Sequence, residues 1–449
     1  MTKDMTTGNP IKLILTFSIP LLIGNIFQQF YNMADTVIVG RFLGVNALAA
    51  VGSTGSLVFL VNGFVIGLTS GFAVLISQKF GANDNEGVKK AFFSSLILSS
   101  IMTILVTAIS VVSAKPLLEL MNTPSDIMND ALSYLIVIYA GNIAIIFYNM
   151  FSSILRALGD SKTPLYFLII SSLLNIVLDI VFITSFSMGV AGAAYATIIS
   201  QGISAILCAI FIVKKLPILK LKKEHLKIRK DYVQTQLNIG IPMALQFSIT
   251  AAGAVVLQSA LNSLGSMAIA SYTAASKVQQ IVLQPAITFG VAMATYSAQN
   301  LGAGKIDRIK EGVKKCTMIS LIVSITSTII VVLFGGTFTK LFVSGNDITE
   351  VIDTAKLYLN TVSIFYIPLG LIFIYRNTLQ GIGESFVPMM AGVAEMVARI
   401  VVAFTLPSLL GFTGIALADP AAWIAAAVPL GITYHKRINK VIKERQLAS

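Results

Sequence analysis

Apolar residues run along this chain further than a soluble core helix requires. Residues 92–114, 165–183, 190–213, 316–335 and 387–410 each approach or exceed the ~18–20 residues that cross a hydrocarbon layer. They do not alternate as the ~10-residue strands of a membrane barrel do. Without water to satisfy the backbone, such segments must be helices. About twelve spans are predicted: 11–39, 46–76, 91–114, 131–155, 165–184, 190–213, 238–262, 268–298, 316–339, 354–376, 387–408 and 414–433. The expected fold class is an all-α integral membrane protein.

The pattern is written twice. Gln78 with Gly81-Ala82 answers Gln299 with Gly302-Ala303, and Glu-Gly-Val-Lys-Lys occurs at 86–90 and 311–315. Leu158-Gly159-Asp160-Ser161 with Pro164 answers Ile382-Gly383-Glu384-Ser385 with Pro388. Gly189 and Gly192 answer Gly411 and Gly414, and Ile19-Pro20 answers Ile241-Pro242. The offset stays between 221 and 225 residues. Six spans per half give both copies the same orientation, so two pseudo-symmetric six-helix lobes are expected around a shared cavity. The expected divisions are a first lobe at 1–213, a basic cytoplasmic linker at 214–237, a second lobe at 238–433 and a basic tail at 434–449. The Gly-Asp-Ser and Gly-Glu-Ser loops read as tight turns.

Composition agrees: 55% of residues are hydrophobic and only 12% charged, against about 25% charged in soluble domains. The net charge of +12 serves topology. With the N-terminus inside, the cytoplasmic segments hold 26 of the 32 Lys and Arg residues, those at span edges included. The opposite loops hold Arg41, Lys115, Lys340 and Lys356 against six acids, Asp347 among them. Both termini are therefore expected in the cytoplasm, with the basic stretches touching anionic lipid. No nucleic-acid partner is expected. The first apolar run is too long for a cleavable signal and reads as a true span. Cys208 and Cys316 suggest no disulfide or metal cluster. His225 and His435 read as solvated bystanders in basic segments.

Six ionisable side chains fall clearly within the predicted spans: Asp35, Asp179, Glu395, Asp419, Lys277 and Arg399. Each costs roughly 2.5–3.5 kcal/mol at mid-helix. At 1.5 Å per residue, Asp35 lies ~8 Å below the outer end of its span, Asp179 ~21 Å up from the inner end, and Thr197 ~12 Å deep. All three share the outer half of the first lobe. Asn175 precedes Asp179 by one turn on the same face. Two carboxylates, an amide and a hydroxyl at one depth suit Na+, and the same carboxylates can take protons instead. The second half does not copy this group: the images of Asp35, Asn175 and Asp179 are near Leu257, Arg399 and Ala403, and only the Thr197 position stays polar, as Asp419. Ion coupling is expected in the first lobe alone. Glu395 and Arg399, four apart, read either as an internal ion pair or with Glu395 as a substrate contact. Asp419, beside Pro420, and the glutamines Gln246, Gln280 and Gln284 are further candidates for the cavity wall. Lys277 is unassigned.

The chain resembles the multidrug and toxic compound extrusion (MATE) family of bacterial type. The resemblance rests on Pro20, Tyr31-Asn-Met-Ala-Asp35-Thr-Val-Ile-Val-Gly40, Gly44 with Ala47-Leu-Ala-Ala50, Gln78-x-x-Gly81-Ala82 and Arg156-Ala-Leu-Gly159-Asp160. It continues through Asn175-Ile-Val-Leu-Asp179, the Gly-Ala run at 189–196, Gln299-x-x-Gly302-Ala303 and Trp423 after Asp419-Pro420. It implies a V-shaped fold around a central cavity and a monomeric antiporter of the bacterial inner membrane. The implied activity is export of amphipathic organic cations by alternating access, driven by inward Na+ or H+, with no cofactor. The cation site it implies is Asp35, Asn175, Asp179 and Thr197, with Ala193 as a carbonyl ligand. The acidic pair of another branch, on spans seven and ten, is not matched. A lipid-linked saccharide flippase is the alternative, disfavoured because an anionic pyrophosphate would want a cationic cavity. An enzyme is not expected: no His-x-x-x-His spacing exists and no nucleophile constellation stands in a span.

Overall fold

The computed structural model describes residues 2–343 and 348–446. Asp347 and the last three residues of the expected tail fall outside these. Residues 10–120 form three long helices: α1 (Pro10–Leu43), α2 (Val45–Gly81) and α3 (Asn85–Leu120). Then come α4 (Met128–Ala140), α5 (Asn142–Ala157), α6 (Lys162–Ile180) and α7 (Gly189–Lys215). The second half runs α8 (Lys230–Asn262), α9 (Ser266–Val282), α10 (Gln284–Gly302), α11 (Ile306–Thr339), α12 (Ile348–Ser363), α13 (Tyr366–Gly381) and α14 (Phe386–Thr405). Two short turns, α15 (Pro407–Leu410) and α16 (Phe412–Ala416), lead into α17 (Ala418–Gln446).

Among the described residues nine helices are long and apolar enough to cross a membrane, and twelve spans result when three bent pairs count as one each. The three broken spans, α4–α5 (48°), α9–α10 (42°) and α12–α13 (53°), are the fourth, eighth and tenth. Each is expected from the sequence as one span, at 131–155, 268–298 and 354–376. Pro285 and Pro368 lack the N–H that would bond the carbonyls of Ile281 and Ile364, so two of the breaks follow from proline. The third falls at Gly141, where a Cβ would stand 2.3 Å from Ile198 on α7. There the missing side chain makes room for that of Ile198.

The spans are inverted relative to soluble helices. On α3, Ile101, Ile104, Leu105, Ile109 and Val112 are exposed, while Ala91, Ser95, Ser99, Thr103 and Ser110 are buried. Lipid takes the large apolar side chains, and small residues let helices close on one another. Buried hydroxyls bond their own helix, as Ser95 to the Ala91 carbonyl (3.0 Å) and Thr103 to that of Ser99 (2.7 Å).

Two compact units emerge. One comprises residues up to Asp4 with Ile19–Ser248; the other comprises Met5–Ser18 with everything from Ile249 on. This corrects the expected lobe start at residue 238 and the assignment of all of 1–213 to the first lobe. The reason is local packing. At Gly71 a Cβ would lie 2.3 Å from the Cα of Gly240, and at Gly67 one would lie 2.6 Å from the Met243 carbonyl. The opening turns of α8 are thus pressed onto α2. The fully buried Gln236 donates to the carbonyls of Phe72 (3.2 Å) and Ala91 (3.0 Å) and to Ser95 Oγ (2.8 Å). Conversely, the Met5 N–H donates to Gln299 Oε1 (2.8 Å), and Asn300 donates to the Met5 carbonyl (3.1 Å), inside the second unit.

Candidate functional site

In the first unit α1 carries Asp35, α6 carries Asn175 and Asp179, and α7, packed along α6, carries Ala193 and Thr197. The side chains of Asp35 and Asp179 come close enough to interact directly. Two ionised carboxylates that close repel, and a proton or another small cation between them relieves the pair. Asp179 is fully buried and Asn175 nearly so, and one oxygen of each aspartate, Oδ1 in both cases, is buried without a partner. Directly after Asp179 the helix widens into a π-turn, Val181–Ser185, a distortion frequent at functional sites.

Asn175 bridges the group. With its amide nitrogen toward Asp179 it donates to Oδ2 (3.0 Å), and its oxygen accepts from the Thr197 N–H (3.1 Å). The ordinary helix partner of that N–H is the Ala193 carbonyl, so the Ala193 oxygen shares its donor. In the opposite rotamer the amide nitrogen stands 3.5 Å from Thr197 Oγ1, and the amide oxygen faces an aspartate oxygen. Two acceptors face each other stably only across a cation or with a proton on the carboxyl.

Two tyrosines complete this cluster. Tyr31 lines the same chamber as Thr197, and buried Tyr134 of α4 lies within electrostatic reach of Asp35, Tyr31 and Asp179. Sequence reasoning gave neither a role. Tyr31 stands one helical turn before Asp35, which was a usable signal; Tyr134 reaches the site only through packing.

The second-unit candidates form a different object. Arg376 donates to Glu395 Oε2 (2.8 Å), Arg399 Nε donates to Asp419 Oδ1 (2.9 Å), and Arg399 also lies 3.5 Å from Glu395 Oε1. Tyr358 donates to Asp419 Oδ2 (2.9 Å) and stands 3.0 Å from the Gln279 amide oxygen. Two arginines thus neutralise two carboxylates, all of them buried. This favours the ion-pair reading of Glu395 over a free substrate contact, and Asp419 is likewise bonded to a cation and a tyrosine. Arg376 was missed because it stands at the end of its predicted span. Gln280 and Lys277 are exposed. Gln284 donates back to the Gln280 carbonyl (3.1 Å) across the α9–α10 break. Gln246 is buried on α8 within the first unit.

His225 is not a solvated bystander. It is 1% exposed. Its Nδ1 accepts from the Lys222 N–H (2.9 Å), and its Nε2 lies 2.6 Å from Glu86 Oε2. Acceptance at Nδ1 puts the proton on Nε2, which donates it to Glu86. Glu224 lies 3.8 Å away and makes the trio resemble metal ligands, but a metal would need the lone pair that this tautomer lacks. The trio instead ties the basic linker to the start of α3. His435 is exposed and stacks near Tyr375 and Tyr434.

A sequence model of the MatE family matches residues 20–181 and 242–405, the two repeats. The probable multidrug resistance protein YpnP of Bacillus subtilis is 30% identical over 382 residues, covering 85% of this chain and 84% of its own. The multidrug export protein MepA of Staphylococcus haemolyticus is 24% identical, covering 90% and 88%. A crystal structure of MATE in complex with MaL6 superposes with a TM-score of 0.92 at 25% identity, over 99% of this chain and all of that one. With a family match over most of its length and a buried acidic cluster inside its first repeat, the chain belongs to the MATE family of bacterial multidrug efflux transporters.

Proposed function

We propose that this protein is an antiporter of the bacterial inner membrane, both termini cytoplasmic, exporting amphipathic organic cations as a monomer in exchange for H+ or Na+. The observation that carries this is the contact of Asp35 with Asp179, each retaining a buried oxygen without a partner. A pair of acids in that setting holds one small cation or gives it up. Facing outward, Asp35 and Asp179 take the ion and release the drug. The loaded first lobe repacks through bending of α1 near Pro20, which already interrupts its helix bonding. Facing inward, the ion leaves and the drug enters. Coupling needs the two ligands to favour different states or to compete for one charge site.

The residues present suit either ion. A proton sits between the carboxyls with Asn175 donating to Asp179. Na+ wants several oxygens; the opposite Asn175 rotamer supplies an amide oxygen beside Asp35, Asp179, Thr197 Oγ1 and the Ala193 carbonyl. With Arg376 and Arg399 on them, Glu395 and Asp419 are not free for a coupling ion.

The test is transport of a fluorescent lipophilic cation into vesicles with Na+ and pH gradients imposed independently. Asp35→Asn is expected to abolish drug-dependent ion flux while the protein still inserts. Coupled transport at the wild-type rate in that variant refutes the proposal.

A further inference from the structure

Next to the aspartate pair, three helices enclose a small polar chamber. Its lining adds Gln28 of α1, Ser171 and Ser172 of α6, and Ser200 and Gln201 of α7 to Asn175 and Thr197. Each helix displaces it the same way. Gln28 stands seven residues before Asp35, Ser172 seven before Asp179, and Ser200 three after Thr197 on the antiparallel helix. At 1.5 Å per residue these are shifts of roughly 10, 10 and 5 Å toward the end where α1 begins. The chamber is thus continuous with the ion site and lies on its cytoplasmic side under the topology above. It has room for about one water-sized sphere. That is too small for an organic cation.

The chamber is unfinished in hydrogen bonding. Ser200 Oγ, on a residue 3% exposed, is buried with no partner, and so is Gln201 Oε1. Buried polar groups are normally satisfied by protein or by an ordered guest. Apart from Leu168, the lining holds hydroxyls, that of Tyr31 among them, and amides, with no carboxylate, so it can solvate a small cation without trapping it. Gln28, at the rim, is exposed.

We infer that this chamber is the inner leg of the ion route: the ion released by Asp35 and Asp179 passes through it toward the cytoplasm, with Ser200 Oγ and Gln201 Oε1 as transit ligands. The inference rests on the antiport reading and specifies the path within it.

The test uses the full chain in proteoliposomes, with Na+ and H+ as probes. Ser200→Ala combined with Gln201→Leu is expected to lower coupled turnover by about tenfold, the worth of a hydrogen bond to a charged group. Drug affinity in detergent and the half-saturating external ion concentration should stay within about twofold. Ser200→Thr, which restores a hydroxyl, should recover turnover. Unchanged turnover overturns the inference, as does a loss of drug affinity that matches the loss of turnover. If the wild type shows no ion coupling, the antiport reading has failed on its own, and access decides the chamber separately. In a Cys208→Ala, Cys316→Ala background, Ser200→Cys should react with Ag+, an ion small enough for the chamber, added from the cytoplasmic side. No reaction from that side, or equal reaction from both sides, overturns the route.

Discussion

Neutralising Asp419 gives the sharpest test of the second-unit network. Asp419→Asn keeps shape and leaves a partner for Tyr358, but it strips Arg399 of its 2.9 Å partner. What remains is Glu395 at 3.5 Å, already bonded at 2.8 Å to Arg376. Two buried arginines then share one carboxylate, leaving one uncompensated positive charge among groups less than one-tenth exposed. Breaking a buried pair this way costs about 3–5 kcal/mol, whereas removing both partners is close to neutral. For a unit of roughly 200 residues, each kcal/mol shifts Tm by about 2–4 °C, so 3 kcal/mol predicts a drop of about 6–12 °C. Asp419→Asn with Arg399→Met should recover most of it. The assay is heating of purified protein in detergent, followed by size-exclusion fluorescence. If the single variant is as stable as the wild type, or the double variant is no better than the single, the neutral-network account fails. Loss of transport at unchanged Tm would return Asp419 to the role of a substrate contact.

Other consequences follow from the same structure. Gly71→Val places a side chain where a Cβ alone would stand 2.3 Å from Gly240. It should part α2 from α8 and lower both folded yield and Tm on purification. His225→Ala, or Glu86→Ala, removes the 2.6 Å tie of the linker to α3; trypsin should then cut at Lys223 and Lys227 several-fold faster in a timed digest. Asp84 caps α3 by accepting from the Gly87 N–H (2.8 Å), and that bond, with help from Lys79, holds its carboxyl below the usual range. A depressed acid contributes stability above its unfolded pKa of about 4 and loses it as pH falls through the lower folded value. Asp84→Ala should therefore cost about 1 kcal/mol near neutral pH. In thermal melts the gap from wild type should close under strong acid; a gap independent of pH would show that the cap is not electrostatic.

Sequence alone settled what depends on local pattern. Span length, helical type, the twofold repeat and the depth of Asp35, Asn175, Asp179 and Thr197 all follow from hydrophobic run length and a fixed rise per residue. Depth arithmetic on separate helices was enough to group these four, because membrane helices run nearly along one axis. Folding together had to decide the rest. Which base neutralises Glu395 and Asp419 depends on contacts 19 and 20 residues away in sequence, and no periodicity encodes those. The same holds for Tyr134 at the aspartates, the His225 proton on Glu86, and the opening turns of α8 packed in the first unit. Each is settled by which backbones can approach, as at Gly67 and Gly71, and approach is a property of pairs of helices that neither sequence segment carries by itself.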